Sequence, residues 1–318
     1  MSTMPDAAQK KRKIAVLLPC YNEEITIAKV ISDFRRELPE AEIWVFDNNS
    51  TDRSVELAQA AGARIQKIFQ QGKGHVMRRM FQKIEADCYV IADSDDTYPA
   101  EAVHELILPI LNEEADMVIG DRLSPASTRG ADRPFHGFGN WLVQALIHLL
   151  FAQKVTDVMT GYRAFSRTFV KSCPILSTGF EIETEFTLHA LDKRMRILEI
   201  PIAYRSRPSG SQSKLNTFSD GFRVLKTIFY LFKDYRPLLF FGLSGIFLVL
   251  VAIALMIPIF LEFFQTGSVP RFPTLIGSTG LMGLGISLIC CGIILDSCKR
   301  YADQLFELLL METTTHKG

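Results

Sequence analysis

From Ile14 onward, short apolar runs alternate with amphipathic stretches. Ile14–Leu18, Ile43–Phe46, Cys88–Ala92 and Met117–Gly120 are strand-length apolar runs, and Arg64–Phe69 also reads as a strand. Between the first two, Glu23–Leu38 places Ile27, Val30, Ile31 and Phe34 at helical spacing. Ser50 or Thr51 is positioned to cap a second helix running to Ala61, Gly74–Glu85 predicts a third, and Pro99 opens a fourth because proline suits a first turn. This alternation predicts an α/β domain, a Rossmann-like, mostly parallel sheet with helices on both faces.

The pattern changes near residue 134. Pro134–Gln153 carries no charge, yet His136, Asn140, Gln144 and His148 recur every four residues, which predicts a helix lying in a membrane interface over 134–153. Over 211–236, Phe218, Phe222, Leu225, Phe229 and Phe232 share a face interleaved with Arg223, Lys226 and Lys233, the pattern of a basic amphipathic juxtamembrane helix. Leu238–Leu261 and Phe272–Leu295 are then uncharged for 24 residues each. As helices of about 36 Å they exceed the ~30 Å hydrocarbon core, which predicts membrane spans over 237–264 and 271–296.

Charge refines this picture. Thirty-five Lys and Arg balance thirty-five Asp and Glu, so no nucleic-acid footprint is expected. Seven basic and two acidic residues lie between Arg205 and Arg236, against only Glu262 and Arg271 between the spans, and Lys299 and Arg300 follow the second. The positive-inside rule therefore predicts a cytoplasmic basic tail (1–12), a cytoplasmic α/β domain (13–210) and a cytoplasmic C-terminal tail (297–318). Lys10–Lys13 precede only a strand-length apolar run, so a signal peptide is not expected. The six cysteines show no metal-ligand spacing or disulfide framework.

Ligands of open α/β sheets sit beyond the carboxyl ends of the strands. Four polar clusters fall there: Pro19-Cys-Tyr-Asn-Glu-Glu24, Asp47-Asn-Asn-Ser-Thr-Asp52, Asp93-Ser-Asp-Asp96 and Asp121-Arg122. In Asp93-Ser94-Asp95, alternate residues at a strand end can turn two carboxylates to one site, and such hard oxygen donors suit Mg²⁺ or Mn²⁺ shared with substrate phosphates. Asp96 is placed to cap the next helix. Asp47 can accept hydrogen bonds from a base or sugar, or can simply shape a turn. Gly72-Lys73-Gly74 before a helix suits an anion, or a plain turn. Asp157-Val-Met-Thr-Gly-Tyr-Arg163 brings a carboxylate, a flexible glycine and a cation together. Glu181, Glu183 and Glu185 fit the positive end of a helix. Arg205, Arg207 and Lys214 can clamp phosphates, or can serve membrane topology.

As a set and in this order, these strings resemble the family 2 glycosyltransferases of GT-A fold. More narrowly they resemble the polyprenyl-phosphate glycosyltransferases, the group containing dolichol-phosphate mannose synthase and the GtrB-type undecaprenyl-phosphate glucosyltransferases. The resemblance covers about residues 13–236, and the two spans match the GtrB-like arrangement. It implies that Pro19, Tyr21, Asn22, Glu23, Asp47, Asn48, Lys73, Asp93 and Ser94 bind the nucleotide. Asp93 and Asp95 would hold the metal, and Arg122, Arg205, Arg207 and Lys214 would contact the donor diphosphate or the acceptor phosphate. Asp157, Asp95 and Arg163 would serve catalysis. Many relatives carry a second Asp where this chain has Asn48. The implied partners are a nucleotide sugar, with UDP-glucose favoured over GDP-mannose, polyprenyl phosphate and the bilayer.

A lipid phosphate has a second pKa of about 6, so it is already nucleophilic at neutral pH and a strong general base is unnecessary. Asp157 is therefore expected to orient groups rather than to accept an obligatory proton. Thr279, Gly283, Ser287 and Cys291 form a small-residue face that predicts either homo-oligomer contacts or packing on the first span. A processive polysaccharide synthase is disfavoured because no Gln-x-x-Arg-Trp string occurs. A nucleotidyltransferase or a nucleotide-binding scaffold is the remaining alternative.

Overall fold

A computed structural model describes residues 12–124, 144–145, 147–177, 179, 181–205, 208, 229–230 and 232–315. The chain divides into two compact units, Met1–Val224 and Leu225–Gly318.

The first unit is built on seven strands: β1 (Ile14–Cys20), β2 (Glu42–Asp47), β3 (Arg64–Lys67), β4 (Cys88–Ile91), β5 (Met117–Asp121), β6 (Arg163–Ser166) and β7 (Ile197–Pro201). Their spatial order is β3-β2-β1-β4-β6-β5-β7. All neighbours are parallel except β6, which runs antiparallel to both β4 and β5. The helices are α1 (Ile27–Glu37), α2 (Ser54–Ala60), α3 (Lys73–Lys83), α4 (Val103–Leu111), α5 (Arg167–Ser172) and α6 (Ile182–Asp192). The α1 residues Ile27, Val30, Ile31 and Phe34 are the buried ones, so its apolar spacing alone selected the packed face.

Register places the polar clusters together. Cys20 lies beside Asp47 at the ends of β1 and β2, and Leu17 lies beside Ile91 of β4. The loops leaving these strands therefore share one edge of the sheet, where a parallel α/β fold builds its site.

Arg163, the last residue of the Asp157–Arg163 segment, begins β6. Two local expectations are corrected. Neither Ser50 nor Thr51 caps α2, which starts at Ser54 behind Arg53. Asp96 caps no helix either: it has a φ of 59° and its carboxylate meets Lys29 at 2.7 Å. The 134–153 and 211–236 helices fall largely outside the described residues.

The second unit contains α7 (Pro237–Thr266) and α8 (Phe272–Thr315). Both are long and apolar enough to cross a membrane, and only 17% and 11% of their most apolar windows are buried. Two helices that expose Leu, Ile and Phe along most of their length need an apolar surrounding, unlike the core helices of a water-soluble domain. Gly267, at φ 68°, ends α7 in the left-handed conformation. Glu262 and Arg271, the charges flanking the link, pair at 2.7 Å.

The two helices pack through seven-residue repeats, Gly245, Ala252 and Ile259 on α7 against Ser278, Gly285 and Gly292 on α8. Their backbones meet so closely that a Cβ on Gly245 would lie 2.5 Å from the Gly285 carbonyl oxygen. Thr279, Gly283, Ser287 and Cys291 lie on another, exposed face, so they are not the seam between the spans. The expected C-terminal tail at 297–318 is helical as far as Thr315, as part of α8.

Candidate active site

Three loops at the strand ends are stitched into one rim. The Asn22 amide N–H donates to Ser50 Oγ at 2.9 Å, and Asn22 Oδ1 accepts from the Thr51 N–H at 2.8 Å. The Glu23 N–H donates to Ser54 Oγ at 2.7 Å. Thr26 Oγ1 donates to the Ser94 carbonyl at 2.6 Å, and Ser94 Oγ to the Pro19 carbonyl at 2.8 Å. Asn22 and Ser94, expected at the nucleotide, therefore act on the loops that would hold it.

Asn48 works in the same way. Its Nδ2 donates to the Ile68 and Gln70 carbonyls at 3.1 and 2.7 Å, while Oδ1 accepts the Gly72 N–H at 2.8 Å. The amide is fully occupied in fixing the loop that leads to Lys73. A carboxylate could not donate to those two carbonyls, which is the physical meaning of Asn at this position. Asp47 is buried, with Oδ1 accepting from the Ser50 N–H at 3.2 Å, whereas Tyr21 stands exposed at the rim.

Beyond β4, the buried Asp95 anchors its own turn: Oδ1 accepts from Thr97 Oγ1 at 2.6 Å and from the Thr97 N–H at 3.2 Å. Asp93 meets Lys73 Nζ at 2.7 Å, and the same ammonium meets Glu183 Oε1 at 2.5 Å. Burial disfavours the Lys73 charge, but Asp93 and Glu183 outweigh it and hold the amine well above its ordinary range. Gly161 fits against Asp93 because it lacks a side chain, since a Cβ there would lie 2.4 Å from Asp93 Oδ2. Among the described residues no group of three or more His, Cys, Asp or Glu is placed to hold a metal by itself. Two hard carboxylates at a strand end do fit an ion whose remaining ligands are phosphate oxygens and water.

The 157–163 segment forms a second cluster. Asp157 is fully buried and grips Arg122, accepting from Nε at 2.7 Å, Nη2 at 2.9 Å and the backbone N–H at 3.1 Å. Arg122 also stacks over the Tyr204 ring at 5.2 Å and reaches Tyr98 Oη at 3.4 Å. Burial disfavours the Arg122 charge, but Tyr98 and Asp157 outweigh it and raise its pKa well above the usual value. Glu199 Oε1 accepts the N–H groups of Thr156 and Asp157 at 2.7 and 3.1 Å. Burial pushes Glu199 up, although those N–H groups oppose the shift.

Arg163 is corrected as a catalytic contact. It is 1% exposed, and its guanidinium binds the Thr160 and Val158 carbonyls at 3.0 and 2.6 Å and Thr187 Oγ1 at 2.9 Å. Burial pushes its pKa down to about 10. It fixes the loop from inside the core. Arg205 has its side chain paired with Glu101 at 3.3 Å on the surface, not with a site carboxylate, while its backbone N–H holds the Thr97 carbonyl at 2.9 Å. Arg207 and Lys214 lie outside the described residues.

Sequence reasoning gave Glu183 only a place at the positive end of a helix and left out Tyr98. Glu183 sits in the first turn of α6, but its partner is Lys73. Tyr98 Oη accepts the Gly161 N–H at 2.9 Å and so ties the Asp93 loop to the 157–163 segment. Only the Glu181-Ile-Glu-Thr-Glu185 alternation hinted at the first. Glu185 accepts the N–H groups of Leu176 and Ser177 at 2.8 and 3.0 Å.

Comparison with known proteins agrees with this architecture. Glycosyltransferase AglJ of Haloferax volcanii is 31% identical over 89% of this chain and 92% of its own length. A dolichyl-phosphate hexose transferase of the same organism is 31% identical over 68% of this chain and 92% of its own length. Among solved structures, glucosyl-3-phosphoglycerate synthase from Mycobacterium tuberculosis, in complex with Mn²⁺, UDP and glucosyl-3-phosphoglycerate, superposes with a TM-score of 0.58. It shares 23% identity over 71% of this chain and 80% of its own, which supports the GT-A-type fold. Residues 15–173 match the family described as glycosyl transferase family 2. With strand ends, carboxylate pair and relatives in agreement, the chain is a glycosyltransferase and belongs to glycosyl transferase family 2.

Proposed function

We propose that this enzyme transfers one hexose from a nucleotide sugar to polyprenyl phosphate, with inversion at the anomeric carbon. The observation that carries the reading is the meeting of Asp93 with the largely enclosed Lys73 just past β4, two residues before the buried Asp95, in a chain with two long, exposed apolar helices. UDP-glucose is the favoured donor, through the likeness of the two-span arrangement to GtrB-type enzymes. The dolichyl-phosphate hexose transferase of Haloferax volcanii supports a lipid-phosphate acceptor.

In this reading Pro19, Tyr21, Glu23 and Asp47 line the nucleoside end, and Lys73 lies toward the diphosphate. Asp93 and Asp95 would hold Mg²⁺ or Mn²⁺, which when bound offsets charge on the departing diphosphate. A phosphate oxygen of the acceptor attacks the anomeric carbon, the bond from that carbon to the diphosphate breaks, and a nucleoside diphosphate leaves. The acceptor is mostly dianionic at neutral pH, its second pKa being about 6, so no side chain need remove a proton. Asp157 then serves by holding Arg122, and Arg122 sets the positive field beside the site. The basic flanks of the spans support cytoplasmic placement of the first unit and of both termini.

The test presents radiolabelled UDP-glucose, GDP-mannose and other nucleotide sugars to membranes containing the enzyme and polyprenyl phosphate. Label entering chloroform with release of nucleoside diphosphate, lost in Asp95→Asn, is the expected result. Release of pyrophosphate, or no lipid-linked product from any donor, refutes the assignment.

A further inference from the structure

Asp93 already holds a cation, and it is one of the protein's own. Lys73 Nζ lies 2.7 Å from Asp93 Oδ1 and 2.5 Å from Glu183 Oε1, with the Lys73 and Glu183 side chains only 11% and 7% exposed. The other Asp93 oxygen faces Gly161, where even a methyl group would not fit. The Asp93 carboxylate, its side chain 28% exposed, lies between an ammonium and a backbone wall. A divalent ion arriving at Asp93 and Asp95 alone would meet the positive charge of Lys73, which is itself largely enclosed and so only partly screened by water. A diphosphate changes the balance, because its negative charge gives the ammonium a new partner. Glu183 comes from α6, more than a hundred residues along the chain from Lys73, and binds the same ammonium without being part of the β4 turn.

We propose that Lys73 is a built-in occupant of the cation site that makes divalent metal binding conditional on the donor diphosphate, and that Glu183 is the positioning residue that keeps Lys73 in place when Asp93 turns to the metal. The inference rests on the glycosyl-transfer reading above and adds an order of events to it: metal and nucleotide bind together, each weakly without the other. By reciprocity, the factor by which nucleotide tightens metal equals the factor by which metal tightens nucleotide.

The experiment measures Mn²⁺ binding to the full-length chain in detergent by the electron paramagnetic resonance of free Mn²⁺, alone and with UDP or GDP, and needs no turnover. For the natural sequence a nucleoside diphosphate should tighten Mn²⁺ by about tenfold or more, a modest share of the repulsion between neighbouring charges in protein. Lys73→Met should tighten Mn²⁺ alone by a similar factor and abolish most of the coupling. Glu183→Gln should act in the opposite direction, leaving the ammonium to Asp93 alone and weakening Mn²⁺ severalfold. General damage to the fold would weaken binding in both variants, and that result overturns the proposal. So does a Lys73→Met protein whose affinity for Mn²⁺ alone is unchanged. If the natural sequence binds no Mn²⁺ even with nucleotide, the metal-dependent reading falls as well, which separates the two failures.

Discussion

Replacing Asp157 by Asn tests whether this carboxylate reacts with substrate or holds Arg122. Asp157 is fully buried and accepts three hydrogen bonds from Arg122, at 2.7, 2.9 and 3.1 Å. Asparagine keeps one acceptor oxygen and turns an NH₂ group toward at least one of those donors. Breaking one side of a buried ion pair costs about 3–5 kcal/mol. Here the Arg122 side chain keeps 21% exposure and the Tyr204 ring, so about 2–3 kcal/mol is expected. For a unit the size of Met1–Val224 this lowers Tm by roughly 4–12 °C, readable by intrinsic fluorescence of the full chain in detergent. Loss of a general base would cost about 100- to 10,000-fold in rate. The structure instead predicts a kcat reduced by less than about tenfold, because Asp157 is saturated by Arg122. A double-mutant cycle with Arg122→Gln should return a coupling of about 1–3 kcal/mol. An unchanged Tm together with abolished turnover at full donor and acceptor binding would refute the reasoning and make Asp157 a reacting group.

Asn48→Asp exchanges two donated hydrogen bonds for repulsion against the Ile68 and Gln70 carbonyls, which costs about 2–4 kcal/mol and should open the 68–72 loop to limited proteolysis. Glu199→Gln keeps the acceptor for the Thr156 and Asp157 N–H groups but removes a half-buried charge. The Glu199 pKa is raised above its ordinary 4.5, so the natural protein loses stability from this group as pH climbs from that value through the raised one. The variant should therefore match the natural protein near pH 4 and be at least as stable at pH 7, as a pair of melting curves would show; a variant less stable at pH 7 would contradict this. Cys291 lies on the exposed small-residue face of α8, so oxidative cross-linking in membranes should give a covalent dimer if that face joins two copies, and no inter-chain product counts against the oligomer.

Much of this protein was determined by local pattern. The helical spacing of Ile27, Val30, Ile31 and Phe34 chose the packed face of α1, and four apolar runs together with the mixed Arg64–Phe69 stretch marked five strands to within a few residues. The two uncharged 24-residue stretches define long membrane-type helices through solvation alone, since length and lack of charge are one-dimensional properties. The polar clusters were legible because parallel strands deliver their ends to one edge whatever their order. Tertiary structure decided which of those residues face a ligand and which hold the loops. Asn48, Ser94 and Arg163 share motifs with site residues, yet their hydrogen-bonding groups are bound to carbonyls that no sequence spacing reveals. The antiparallel β6 is four residues long and starts with a buried arginine, so no apolar run announces it. The meeting of Lys73 with both Asp93 and Glu183 depends on packing α3 and α6 around the end of β4, a contact between distant segments that only the folded chain brings within 3 Å.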